Sequence, residues 1–266
     1  MAVTVSRFTG SRGCVGDIAT LALGIPLFPV ERVMRLGSVA EAREAAAERI
    51  GWAAVFLRAY ALVAQEMPIL RTWIGGRLMK SLVTAPGSTA TLAINRAEPG
   101  DDGRPADRLF FARLRHPEAE SLSSIESFVR HHATAPVAEV FKRQLELELT
   151  PGPLRRVILR WNMRSRSAKR AARLGTFSLS TLAGFGATNR GHPTLCTSSL
   201  SYAPLEPDGR CLVTLICDHR VLDGATAARA LARLEELLGG SMVAELAGLT
   251  TGPSPTTGTH GPRAAA

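Results

Sequence analysis

Aromatic residues make up only 5% of this 266-residue chain, and just two of them are tyrosine. A core must therefore be assembled mainly from Ala, Leu and Val. Cysteine is scarcer still. The four cysteines, Cys14, Cys196, Cys211 and Cys217, form no Cys-x-x-Cys pair and no ligand cluster with histidine. That pattern argues against a thiolate metal site and a disulfide framework, and a reducing cytoplasm is the simpler expectation. Long apolar runs are also missing. The stretch Leu21 to Val30 is ten residues long and broken by Gly24, Pro26 and Pro29, whereas a bilayer span needs roughly 20. Arg7 and Arg12 ahead of it imitate a signal peptide only weakly, because Asp17 follows and no small-x-small cleavage site is present. There is no Gly-rich phosphate loop and no internal repeat.

What remains is globular in composition, with 45% apolar and 21% charged residues. The net charge of +9 is concentrated in one place. Arg155, Arg156, Arg160, Arg164, Arg166, Lys169, Arg170 and Arg173 follow one another without a single acid between them. Such a segment fits four uses: a solvated surface, a landing site for ligand phosphates or an acidic carrier protein, an amphipathic membrane-surface helix, or a nucleic-acid patch. Trp161 alone is little stacking surface for the last of these.

Along the chain, Pro26 to Leu36 reads as an extended segment. Ser38, with Glu41 three residues on, has the spacing of a capping box opening a helix to Ile50. Trp52 to Met67 is apolar on nearly every face and reads as a buried helix ended by Pro68. Thr89 to Arg96 and Arg108 to Arg115 read as strands joined by a polar loop. Helices are expected from Ser121 to His132 and from Pro136 to Glu148, then a turn at Pro151 and Pro153. Three strands follow, at Thr176 to Leu182, Leu195 to Tyr202 and Cys211 to Cys217, the last two closed into a hairpin by Pro207-Asp208-Gly209. Gly224 to Leu238 is an amphipathic helix stopped by Gly239-Gly240. The pattern is one α/β domain with a mixed sheet over residues 25–249, after an irregular segment over 1–24 and before a disordered tail over 250–266.

The chemistry concentrates at His219, delivered just past a strand and just before a helix. Rigid elements on both sides suit a general base that must meet a reacting hydrogen. From these residues alone a capping or surface role stands beside that reading, since Asp218 and Asp223 also favour the start of the next helix. His131 and His132 have no Glu-x-x-His or Cys partner, so no metal site is read there. His192, beside Pro193, reads as a loop residue.

The run Asp218-His219-Arg220-Val221-Leu222-Asp223-Gly224-Ala225, followed by Ala227-Ala228-Arg229, resembles the signature of the acyltransferase (E2) catalytic domain of 2-oxoacid dehydrogenase complexes. Upstream, Gly175-Thr176-Phe177-Ser178-Leu179-Ser180-Thr181-Leu182 is similar to that family's Gly-Thr-Phe-Thr-Ile-Ser strand. The resemblance implies a chloramphenicol acetyltransferase-like mixed-sheet sandwich with flanking helices. It implies acyl transfer from a thioester, a coenzyme A thioester or a carrier arm, to a hydroxyl or thiol. His219 would be the base and Ser180 the oxyanion donor, with Thr181 as the fallback. Asp223 would be structural, pairing with an arginine for which Arg12 and Arg32 are candidates. It also implies a homotrimer with each site between subunits, and no covalently bound cofactor. Ile216-Cys217 depart from the family's Ser-Tyr. The chain begins close to the catalytic domain, so a stand-alone member lacking lipoyl and subunit-binding domains is expected. Two rival readings are a non-catalytic oligomeric scaffold, and a membrane- or nucleic-acid-associated protein acting through the basic segment.

Overall fold

A computed structural model of the chain describes Val3 and residues 10–99 and 105–249. The expected disordered tail lies outside the described residues. The chain runs through α1 (Gly10–Ala22), β1 (Leu27–Arg35), α2 (Gly37–Ala45), α3 (Trp52–Glu66) and a 3-10 turn (Pro68–Arg71). Next come the strands β2 (Thr72–Gly75), β3 (Ser81–Thr84), β4 (Thr89–Pro99) and β5 (Pro105–Arg115). Four helices follow, first α4 (Leu122–Thr134) and α5 (Val137–Val140), then α6 (Lys142–Leu149) and α7 (Gly152–Met163). The chain then passes through α8 (Lys169–Leu174), β6 (Phe177–Leu179), β7 (Ser198–Tyr202), β8 (Arg210–Asp218), α9 (Gly224–Leu237) and α10 (Val243–Gly248).

Six strands make one sheet in the order β1-β8-β7-β6-β4-β5, and β2 and β3 form a separate hairpin. The short β6 is parallel to both neighbours, while the other pairs are antiparallel, so the sheet is mixed. On one face lies the main core, dominated by α3, whose apolar residues surround the helix as the sequence indicates. Phe56 stacks on Tyr202 at 4.4 Å and Tyr60 meets Phe177 edge-on at 4.9 Å. The Tyr60 hydroxyl shares a 2.7 Å hydrogen bond with Ser198 Oγ inside this core, which satisfies both buried polar atoms.

The opposite face of the central strands carries hydroxyls instead. Ser178 of β6, Ser199 and Ser201 of β7 and Thr214 of β8 all point there. The loop between β6 and β7 crosses this face, anchored by an Arg190–Glu31 ion pair at 3.3 Å and by His192 on Ser199.

Several local expectations differ. The N-terminal segment, read as irregular over 1–24, contains α1 between Gly10 and Ala22. Three glycines make it a poor helix by propensity, and tertiary contacts hold it. Leu21 and Ala22 pack with Leu159 of α7, and Asp17 meets Arg155 at 2.6 Å, both of them buried. The capping box at Ser38 does not form, because β1 runs directly into α2 and Leu36 takes the cap position. That helix stops at Ala45, and Ile50 turns into the core with its carbonyl held by Arg43. The segment Pro136 to Glu148 splits at Phe141, which turns inward to stack on Phe110. Gly239-Gly240 do not end the C-terminal helix. A π-turn over Leu238–Met242 carries it into α10, and buried Leu238, Met242 and Leu246 outweigh the two glycines.

Breaking the buried Asp17–Arg155 pair leaves a charge without its partner. Asp17→Ala is therefore expected to destabilise the fold by about 3 kcal/mol, seen as a lower urea midpoint. Adding Arg155→Met to that variant is expected to recover part of the loss, since it removes the stranded guanidinium.

Candidate functional site

β8 is flanked along its length by β1 and β7, so the residue after it leaves the sheet from a fixed point. Asp218 closes that point. Its carbonyl accepts from Val221 N and Leu222 N, both at 3.0 Å, winding residues 218–222 into one turn. Its carboxylate is buried, 5% exposed, and takes Arg220 bidentately at 2.8 and 2.7 Å. Arg220 also reaches back to the Gly24 carbonyl at 3.3 Å. The carboxylate beside it raises the Arg220 pKa further above its ordinary value.

His219 sits at the apex of this turn and is exposed. Its backbone N–H donates to Pro26 O at 2.9 Å, and its ring lies 4.4 Å from that of Phe28. The ring Nδ1 is 3.1 Å from the Leu222 carbonyl. A carbonyl oxygen only accepts, so Nδ1 carries a proton, and in the neutral tautomer with that arrangement Nε2 is the acceptor. Among the described residues Nε2 has no hydrogen-bond partner.

Asp223 is exposed and caps α9, accepting from Thr226 N at 2.6 Å. That bond holds its carboxyl below the usual range, with Arg229 and His219 helping through space. Among the described residues Asp223 has no ion-pair partner, and Arg32, one candidate for it, pairs with Glu235 at 2.6 Å. In this chain the arginine pairing belongs to Asp218.

Ser180 follows β6, half-buried, with its N–H on Leu200 O at 3.0 Å. Its hydroxyl makes no hydrogen bond to another described residue. Thr181 is already engaged, donating to Tyr202 O at 2.6 Å and accepting from Ala183 N at 3.1 Å. Phe177, Ser198, Cys217 and Phe28 share one row across the sheet, and Leu179, Leu200, Leu215 and Val30 share another. His219 lies beyond the first row and Ser180 beyond the second. At about 3.3 Å per residue and about 4.8 Å per strand they stand roughly 15–20 Å apart. One chain does not bring them together.

A second histidine cluster was invisible in the sequence. His192 Nε2 is 2.6 Å from Ser199 Oγ, which also accepts from Ser178 Oγ at 2.6 Å. Asn189 Nδ2 meets His192 Nδ1 at 3.1 Å, so Nδ1 accepts and Nε2 donates. His192 is therefore an anchor for the loop and not a base toward Ser199. Ser201, beside Ser180 on the next strand, is 1% exposed, and its hydroxyl has no hydrogen-bond partner among the described residues. All four cysteines are buried and free. Burial raises the thiol of Cys14 to about 11, that of Cys211 to about 11 and that of Cys217 to about 12, so these remain protonated.

Burial lowers the His192 pKa from its ordinary 6.5 to about 4. The unfolded chain then binds more protons than the folded one between those values, so the contribution of His192 to stability is full above pH 6.5 and is lost as pH falls towards 4. Thermal melts across that window should show the wild type losing Tm more steeply than His192→Gln. Parallel curves would remove His192 as the cause.

No family model and no curated protein matches the sequence. Solved structures do match. The chain is similar to a truncated catalytic core of the 2-oxoacid dehydrogenase multienzyme complex from Thermoplasma acidophilum, with 18% identity and a TM-score of 0.65 over 90% of this chain and 99% of that one. It is similar to a dihydrolipoamide acetyltransferase of Azotobacter vinelandii, with 17% identity and a TM-score of 0.64 over 92% and 94% of the two chains. That structure is described through the role of a serine, a histidine and an asparagine in its catalytic mechanism. It is also similar to the cubic core of the pyruvate dehydrogenase multienzyme complex, with 17% identity and a TM-score of 0.63 over 92% and 94%. The chain thus has the fold of the catalytic cores of dihydrolipoamide acetyltransferases.

Proposed function

We propose that this protein transfers an acyl group from a thioester to a hydroxyl or thiol acceptor. His219 acts as general base in one subunit, and Ser180 of a neighbouring subunit stabilises the oxyanion. The observation that carries this reading is the Nδ1 contact of His219 with the Leu222 carbonyl, at 3.1 Å, which leaves Nε2 free to accept a proton at an exposed turn. The shared fold with acetyltransferase cores supports it as analogy.

The steps follow from these groups. Nε2 takes the proton of the acceptor hydroxyl or thiol as that atom attacks the thioester carbonyl. A C–O or C–S bond forms, and negative charge moves to the carbonyl oxygen. A preplaced Ser180 hydroxyl donates to that oxygen. The tetrahedral intermediate then collapses, the thiolate leaves, and the imidazolium returns the proton to it. Asp218 and Arg220 position the turn, and Asp223 fixes the start of α9 behind it. The separation of His219 from Ser180 within one chain supports a site completed by a second copy, and the homotrimer is the assembly we propose. Coenzyme A thioesters and carrier-bound acyl groups both fit as donors.

The test is acceptor-dependent thiol release from acyl-coenzyme A, run for the wild type, His219→Ala and Ser180→Ala. His219→Ala is expected to abolish release, and Ser180→Ala to lower kcat about a hundredfold. Mixing the two variant chains should restore part of the activity, because a mixed trimer contains one intact pair. Wild-type release by His219→Ala would instead remove His219 as the base, and a wild type that releases no thiol from any coenzyme A or carrier-bound donor would be a non-catalytic scaffold.

A further inference from the structure

The basic segment is not one solvated patch. Arg155 and Arg170 are buried, Arg155 on Asp17, and Arg170 over the Trp73 ring at 4.7 Å. What is left outside is more particular. Leu154, Val157, Ile158 and Trp161 of α7 stand at spacings of three and four, 53%, 60%, 37% and 67% exposed. An apolar stripe at helical period normally faces a core; here it faces away from one. Across from it, Leu78 and Met79 at the tip of the β2–β3 hairpin are 99% and 78% exposed. Between hairpin and helix runs a groove of about 700 Å³, walled by Leu78, Met79, Val157 and Trp161.

The groove walls are fixed to each other. Gly76 N donates to Arg164 O at 2.8 Å, Trp73 Nε1 to Ser165 O at 2.8 Å, and Arg166 to Met79 O. Gly76 itself is irreplaceable there, with φ +95° and the Met79 carbonyl against the place of a Cβ. The rim is cationic: Arg77, Arg160, Arg164 and Arg166 line the same groove. Among the described residues none of these four makes an ion pair, although their neighbour Arg156 reaches Asp17 at 3.6 Å. No acid lies in residues 72–84 or 152–174.

We propose that this groove docks an acidic amphipathic helix of a partner protein. The apolar ridge of such a helix fills the trough, and its flanking carboxylates meet the four arginines. A trough between rigid walls suits a helix about 10 Å across better than a flat bilayer. The hairpin base is tied to the His219 end of the sheet, since Thr197 Oγ1 donates to Thr72 O at 2.6 Å and Asp218 N to Thr197 O at 2.9 Å. One wall of the groove is thus anchored through the hairpin base to that end. If the acyl-transfer reading above stands, on which this last step rests, the partner is the bearer of the acyl group.

The probe is a fluorescein-labelled synthetic helix with a leucine face flanked by glutamates, followed by anisotropy. A scrambled peptide of equal composition, a Lys-for-Glu version and anionic phosphatidylglycerol vesicles run beside it. We expect the Glu peptide alone to bind, and the exposed-surface variant Arg160→Glu/Arg164→Glu to weaken it at least about tenfold. Trp161→Ser should also weaken it, with a smaller salt dependence of the loss. Equal binding of the scrambled peptide, or binding of vesicles in place of the peptide, overturns the proposal. So does a drop in oligomer mass for Trp161→Ser by light scattering, which would make this face a contact between copies. Thiol release from acyl-coenzyme A by Arg160→Glu/Arg164→Glu should match the wild type. A chain that binds the Glu peptide but releases no thiol with any donor separates failure of the acyl-transfer reading from failure of the docking site.

Discussion

The buried carboxylate of Asp218 governs the working end of this molecule. It receives three donors from Arg220, one from the backbone N–H and two from the guanidinium, while its own carbonyl closes the turn that follows. A buried ion holding so many donors is costly to disturb, since every alternative leaves a charge or a donor without a partner. The position of His219 is therefore inherited from the sheet. β8 is clamped between two antiparallel neighbours, Asp218 ends it, and the imidazole is met by the Leu222 carbonyl and the Phe28 ring.

The two sheet faces divide the labour. One is an apolar core around α3, where the few aromatics are spent in pairs. The other presents serine and threonine hydroxyls beneath a strapping loop, with Ser201 unpaired among the described residues. A hydroxyl-lined face is a poor core and a suitable wall for a polar site. Ser180 lies half-buried at the edge of that face, and the antiparallel course of β7 and β8 puts it at the opposite end of the sheet from His219 of its own chain.

Much of this was legible in the sequence. The apolar run Cys211 to Cys217 marked β8, and Pro207-Asp208-Gly209 marked its hairpin with β7. Trp52 to Met67 read as buried because its apolar residues leave no polar face. Asp223 was legible twice over. Its position before an amphipathic run signals an N-cap, and that role is the one its carboxylate takes, rather than the arginine pairing drawn from resemblance. What escaped had physical reasons. Helix α1 is rich in glycine and stands through contacts distant in sequence. The β2–β3 hairpin carries its most apolar residues outward at the tip, so no alternation announces it. The segregation of the arginines into buried and rim positions depends on which side of α7 meets α1, which composition does not encode.

The depth of the cysteines bears on a hazard of thioester chemistry. A protein that holds activated acyl groups, as the proposed reaction requires, exposes any accessible cysteine thiolate to acylation, with the donor thiol as leaving group. Here Cys14, Cys196, Cys211 and Cys217 all lie inside the fold, and burial keeps each thiol in its unreactive protonated form. Under the proposed reaction, acyl transfer onto the chain's own cysteines should therefore require unfolding first.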